Sequence, residues 1–229
     1  MDVIRDEVTS SLTSTEREDT AGIASGEKQK ASDIIAAIET LKTIETERRP
    51  ATAAERQCLA RFAGFGAVAR SLFPDPLTGH YKDAGWQALG EQLSALLTPD
   101  EYASAKRTTF NAFYTSPLVV ESVFGALRRL GVPDDVHTLE PGCGTGNFLA
   151  GAPAAMHFTG VELDALSGRI ARALHPRQDI RIENFRDSRL PEGSVDCVVG
   201  NVPFADITLE HKGQKLSLHD FFFAKAIDV

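Results

Sequence analysis

The sequence predicts an α/β fold in which a doubly wound parallel sheet follows an α-helical N-terminal region. Three observations carry this reading. The turn Gly142-Cys143-Gly144-Thr145-Gly146 lies between a short strand pattern, Val136-His137-Thr138-Leu139, and a helix start at Asn147-Phe148-Leu149. Strand and helix patterns then alternate through the C-terminal half. The N-terminal part shows apolar residues at three- and four-residue steps and two capping boxes.

The helical part is read in chain order. Residues 1–27 are rich in Ser, Thr, Glu and Asp and are expected to form a disordered tail. Residues 28–110 are read as the helical region. Ile34, Ile38, Leu41 and Ile44 share one helix face, and Arg48-Arg49-Pro50 ends that helix. Thr52-Ala53-Ala54-Glu55 is a capping box opening a second helix through Cys58, Leu59 and Phe62, broken by Gly64-Phe65-Gly66. Trp86, Leu89, Leu93, Leu96 and Leu97 line a third, and Thr98-Pro99-Asp100-Glu101 is a second capping box. The aromatic residues here are read as core.

Residues 111–229 are read as the sheet domain. Ser116-Pro117 opens a helix through Val120, Phe124 and Leu130, stopped at Gly131. Strands are expected at 136–139, 158–162, 180–182 and 195–199, with helices at 165–174 and 218–227. Ligands of such a sheet sit beyond the carboxyl ends of its strands.

Composition sets limits. The chain has 229 residues and a net charge of -8, which argues against bulk electrostatic wrapping of nucleic acid. The basic stretch Arg169 to Arg189 is read as a solvated face. No apolar run approaches the ~18 residues of a membrane span, and a cytoplasmic location is expected. Three widely spaced cysteines indicate neither a disulfide framework nor a metal site, and the histidines have no ligand-like spacing.

Two further positions carry chemistry. Glu162 ends the second strand about twenty residues beyond the first glycine, where an acid can hold both ribose hydroxyls of a nucleotide-like ligand. Gly200-Asn201-Val202-Pro203-Phe204 follows the fourth strand. The Asn201 side-chain oxygen and the next backbone carbonyl can both accept from an exocyclic NH2, orienting its lone pair toward a methyl donor. Phe204 offers a face on which a base leaving the duplex can stack. The spacing G-x-G-x-G departs from the dinucleotide pattern G-x-G-x-x-G and favours S-adenosylmethionine over NAD, though only weakly.

From these residues, from Arg49-Pro50-Ala51-Thr52, from Leu59 to Gly66, from Leu97 to Tyr102 and from Asn111 to Pro117, the sequence resembles the N6-adenine DNA methyltransferases of the Asn-Pro-Pro-(Tyr/Phe) type. Within them it is most similar to the methylase region of the large methylase–helicase proteins of phages, plasmids and defence islands. The resemblance implies a Rossmann-like S-adenosylmethionine-dependent sheet. It implies that Tyr114 and Thr115 close over the methionine end of the cofactor, that Glu140, Pro141, Gly142, Gly144, Gly146 and Asn147 form the cofactor loop, and that Glu162 is the ribose acid. Asn184 and Phe185 would flank the cofactor adenine. Asn201, Val202, Pro203 and Phe204 would form the catalytic clamp, with Val202 in place of the signature's first proline.

The family sheet has seven strands, so the domain is expected to lack its last strands and its target-recognition domain. Partners implied are DNA, with the adenine flipped from the duplex, and a second chain or a helicase. Two other readings stay open: a non-catalytic remnant, and a protein glutamine methyltransferase, since a side-chain amide also offers NH2.

Overall fold

The computed structural model describes the backbone of residues 6–108 and 115–229, and the side chains of 26–107 and 115–229. The tail expected over residues 1–27 falls almost wholly outside the described side chains, and Tyr114 outside the described residues. Among the described residues no helix is long and apolar enough to cross a membrane.

The N-terminal region is helical: α1 (Asp6–Glu47), α2 (Ala53–Leu59), α3 (Ala69–Leu72), α4 (Ala84–Leu96) and α5 (Pro99–Thr108). Ile34, Ile38, Leu41 and Ile44 are buried together with Leu59, Leu72, Trp86 and Leu93. Each such side chain contributes up to about 1.5–3 kcal/mol on burial. Both capping boxes form: the Glu55 carboxylate accepts from Thr52 N at 2.8 Å, and the Glu101 carboxylate from Thr98 N at 2.8 Å. Helix α2 is shorter than its apolar pattern suggests, stopping at Leu59 rather than Phe62. Gly64, at φ +66, turns the chain so that Phe62 and Phe65 meet edge to face at 5.7 Å inside the core.

The second half alternates: α6 (Pro117–Arg129), β1 (His137–Pro141), α7 (Asn147–Gly151), β2 (His157–Glu162), α8 (Ala165–Leu174), β3 (Asp179–Ile182), β4 (Cys197–Val198), β5 (Thr208–His211), β6 (Gln214–Ser217) and α9 (Leu218–Ile227). The main sheet is parallel, in the order β3-β2-β1-β4. Leu139 and Val161 pack with α9 residues Phe221 and Phe222. Phe158 and Ile180 pack with Val120 and Phe124 of α6 and Phe148 of α7. Both faces of the sheet are therefore covered, as expected for a doubly wound α/β fold.

Two features depart from expectation. Strand β4 spans two residues instead of 195–199, although Asp196 N and Val199 N on either side of it still donate to His137 O and Leu139 O of β1. The Asp196 side chain accepts from His137 N at 2.9 Å, and Val195 N donates to Val229 O at 3.1 Å. The stretch between Phe204 and α9 forms an antiparallel hairpin, β5–β6, which the sequence reading passed over. Its two-residue turn is Lys212-Gly213, at φ 48° and 79°, the pairing of signs that a type I′ hairpin needs.

The two halves are packed together. Leu166 and Ile170 of α8 belong to the N-terminal core cluster. Glu101 of α5 pairs with both Lys42 of α1 and Arg169 of α8, and Arg169 also pairs with Glu45. Arg169 is thus an internal tie rather than part of a solvated basic face. Arg172 donates to Ile180 O at 2.9 Å, and Arg181 pairs with Asp179.

Candidate active site

A cleft of about 580 Å³ opens at the carboxyl ends of the strands. That volume lies in the range of small-molecule sites. The glycine turn forms its floor. Gly142 N and Cys143 N both donate to Val161 O, at 2.7 and 3.1 Å, anchoring the turn to the neighbouring strand. Gly142, Gly144 and Gly146 all have positive φ, 78°, 56° and 88°, a conformation costly to residues bearing a Cβ. Gly146 is also sterically confined, since a Cβ there would lie 2.7 Å from the His175 ring.

Two acids stand over the turn. Glu162 is half-buried and accepts from Gly144 N through Oε2 and from Asp164 N through Oε1, both at 2.7 Å. A carboxylate has about four acceptor sites, so two remain for hydroxyl donors. Burial raises the Glu162 pKa against these two stabilising bonds. Glu140 is 3% exposed, and its Oε2 has no hydrogen-bond partner among the described residues. Burial first, then the nearby Glu162, push its pKa well above the usual carboxylate range. Burial first, then the nearby Glu140 and Glu162, raise the Cys143 thiol, which fits a small spacer rather than a nucleophile.

The other wall comes from the loop after β4. Asn201 and Pro203 line the cleft, and Pro203 Cδ would sit 3.6 Å from a Cβ on Gly142. The glycine turn and the Asn201 loop are therefore in contact. Val202 points away, into the cluster beneath α9. Phe204 is 52% exposed, with its ring edge-on to His219 at 4.8 Å.

Thr115 and Asn147 also line the cleft, joined by an Asn147 Nδ2 donation to Thr115 O at 3.0 Å. Asn184 and Phe185 line it as well. The Asn184 side-chain oxygen already accepts from Arg186 N at 3.0 Å. Phe185 is buried against Phe222, and Lys225 stands over its ring while donating to Arg186 O and Ser188 O. Pro141 and Gly146 are buried just outside the cleft lining.

The sequence reading missed one wall. Phe62, Gly64, Phe65, Ser104 and Arg107 of the helical region face the same cleft. Their composition reads as core, and only the Gly64-Phe65-Gly66 break hinted at a special backbone. Asp164 and Glu183 also line the cleft. Asp164 caps α8 by accepting from Ser167 N at 2.9 Å, and it accepts from Ser104 Oγ at 3.1 Å.

The residues fit S-adenosylmethionine. An orphaned buried carboxylate oxygen and three further acids suit a ligand carrying a sulfonium and an ammonium group. Glu162 keeps acceptor capacity for ribose hydroxyls, and the positive-φ glycines let the ligand approach the backbone.

Residues 139–211 match the family model described as "Methyltransferase domain". Over 94 residues the chain is 38% identical to "Defense against restriction protein B" of Escherichia phage P1, a match covering 40% of this chain and 4% of that protein. The chain thus spans a small part of the curated relative it matches. Among solved structures it is similar to a putative RNA methyltransferase from Pyrococcus horikoshii, at 18% identity and a TM-score of 0.41 over 51% of this chain and 58% of that one. A putative class I S-adenosylmethionine-dependent methyltransferase from Listeria monocytogenes shows 14% identity and a TM-score of 0.40 over 86% and 69%. A type I restriction-modification methyltransferase subunit from Streptococcus thermophilus shows 12% identity and a TM-score of 0.41 over 88% and 65%. The match to a methyltransferase domain thus covers residues 139–211, under half of the chain, and the cofactor is S-adenosylmethionine.

Proposed function

We propose that the chain methylates the N6 amino group of adenine in DNA. The observation that carries this reading is the shared cleft: Asn201 and Pro203 stand opposite the glycine turn and Glu162, with Phe204 exposed beside them. In this reading the Asn201 side-chain oxygen and a backbone carbonyl of the loop accept from the target NH2, stripping its hydration and aiming its lone pair into the cleft. Phe204 stacks on the flipped base. Glu162 holds the ribose, Glu140 faces the cationic methionine end, and Thr115 and Asn147 border it. The bound cofactor supplies an activated methyl group, so positioning by these residues accounts for most of the rate and no protein nucleophile is required.

The name of the phage P1 relative supports a setting in restriction or anti-restriction; in this reading a second chain supplies target recognition. The test is transfer of labelled methyl groups from S-adenosylmethionine, with duplex DNA and a cell-protein extract offered separately. N6-methyladenine appearing in the DNA and lost in Asn201→Ala is the expected result. Label in protein glutamine instead of DNA would replace the reading with the protein amide one. Label in neither acceptor, with cofactor bound, would leave a binding remnant.

A further inference from the structure

The α5 helix is tied both to α1 and to the methyltransferase half. Glu101 in its first turn pairs with Lys42 and Arg169, Ala105 is buried, and Tyr102 packs against Phe73 at 5.4 Å. Ser104 then donates to Asp164, two residues beyond Glu162. One helical turn after Ser104 comes Arg107, which lines the cleft. The described lining carries four carboxylates, Glu140, Glu162, Asp164 and Glu183, and Arg107 is the single cation among them.

We propose that Arg107 is the anchor for the α-carboxylate of the cofactor's amino-acid moiety, so that the helical N-terminal region completes the cofactor site. The methionine end carries a carboxylate as well as an ammonium group. The ammonium suits the acids, but the carboxylate enters a cleft lined by four acidic side chains and needs a positive partner. A guanidinium provides it with two parallel N–H donors matched to carboxylate geometry. Ion pairs at Glu101 and the Ser104–Asp164 bond hold the α5 backbone that carries Arg107 beside the cleft. This inference rests on the methyltransferase reading of the same cleft.

The test compares two ligands by calorimetric titration of the full chain. S-adenosylhomocysteine carries the amino acid; 5′-methylthioadenosine shares the adenosine and thioether but lacks it. Arg107→Met is expected to weaken S-adenosylhomocysteine roughly ten- to a hundredfold, as loss of a charge-assisted bond predicts, and to leave 5′-methylthioadenosine within about twofold. Arg107→Lys restores part of the loss. Unchanged thermal melting of Arg107→Met checks that the fold persists. Equal weakening of both ligands would overturn the proposal in favour of a shape role. Unchanged affinity for both, with weaker binding of a short DNA duplex, would overturn it in favour of a phosphate contact. A wild-type chain that binds neither ligand would overturn the methyltransferase reading itself, and this inference with it.

Discussion

Replacing Glu101 with Gln removes the charge at the junction of α1, α5 and α8 while keeping the side chain's shape. Burial alone would raise the Glu101 pKa. The bonds from Lys42, Thr98 N and Arg169 more than reverse this, holding it at about 2 against an ordinary 4.5. A depression of about 2.5 units corresponds to roughly 3.4 kcal/mol. The partners Lys42 and Arg169 are 30% and 24% exposed, so solvent screening reduces this to about 2 kcal/mol. A folded-state pKa below the unfolded one stabilises above the unfolded value, and that contribution is lost as pH falls from 4.5 toward 2. Urea denaturation of wild type and Glu101→Gln should therefore differ by about 2 kcal/mol at pH 7, and by under about half of that at pH 3. In thermal melts the neutral-pH gap is about 4–8 °C for a chain of this size. A gap below about 0.5 kcal/mol at pH 7, the level of a plain surface substitution, would refute the reasoning. So would a gap that does not narrow in acid.

Glu140→Gln should act in the opposite sense. A buried carboxyl with a raised pKa favours folding below about 4.5, the unfolded value, and that advantage is lost as pH rises through its folded value. The variant should be as stable as wild type in acid and more stable at neutral and higher pH in ligand-free melts, while binding S-adenosylmethionine more weakly. Lower stability at neutral pH would contradict the assignment of Glu140 as an uncompensated buried charge. Gly146→Ala should cost about 1–2 kcal/mol for its left-handed backbone, with a further penalty from the His175 ring. Melting temperature and cofactor titration together should show both losses; near-wild-type values in both would mean that the turn adapts freely.

The chemistry that could be read from the sequence is chemistry carried by local segments. Gly142 to Gly146 needs three positive φ angles in five residues, and only glycine meets that need cheaply, so the turn is written in the chain itself. Glu162 and Asn201 each sit at the end of a strand, and a doubly wound sheet delivers strand ends to one edge whatever the side-chain packing. The helix caps at Thr52, Thr98 and Ser116 are likewise short-range hydrogen bonds between neighbours in the chain.

Tertiary structure decided what depended on distant partners. Val195 N is held by Val229 O and the Asp196 side chain by His137 N, distant partners that no local pattern records. Phe62 and Phe65 look like core from their composition, and they are core, but packing also sets them along the cleft. Arg107 gains its position only because Glu101 bridges to Lys42 and Arg169, residues 59 and 68 positions away. The sequence alone determined the strand-end chemistry, because backbone geometry is a property of neighbouring residues. The wall opposite that chemistry was decided by packing and ion pairing between segments far apart in the chain.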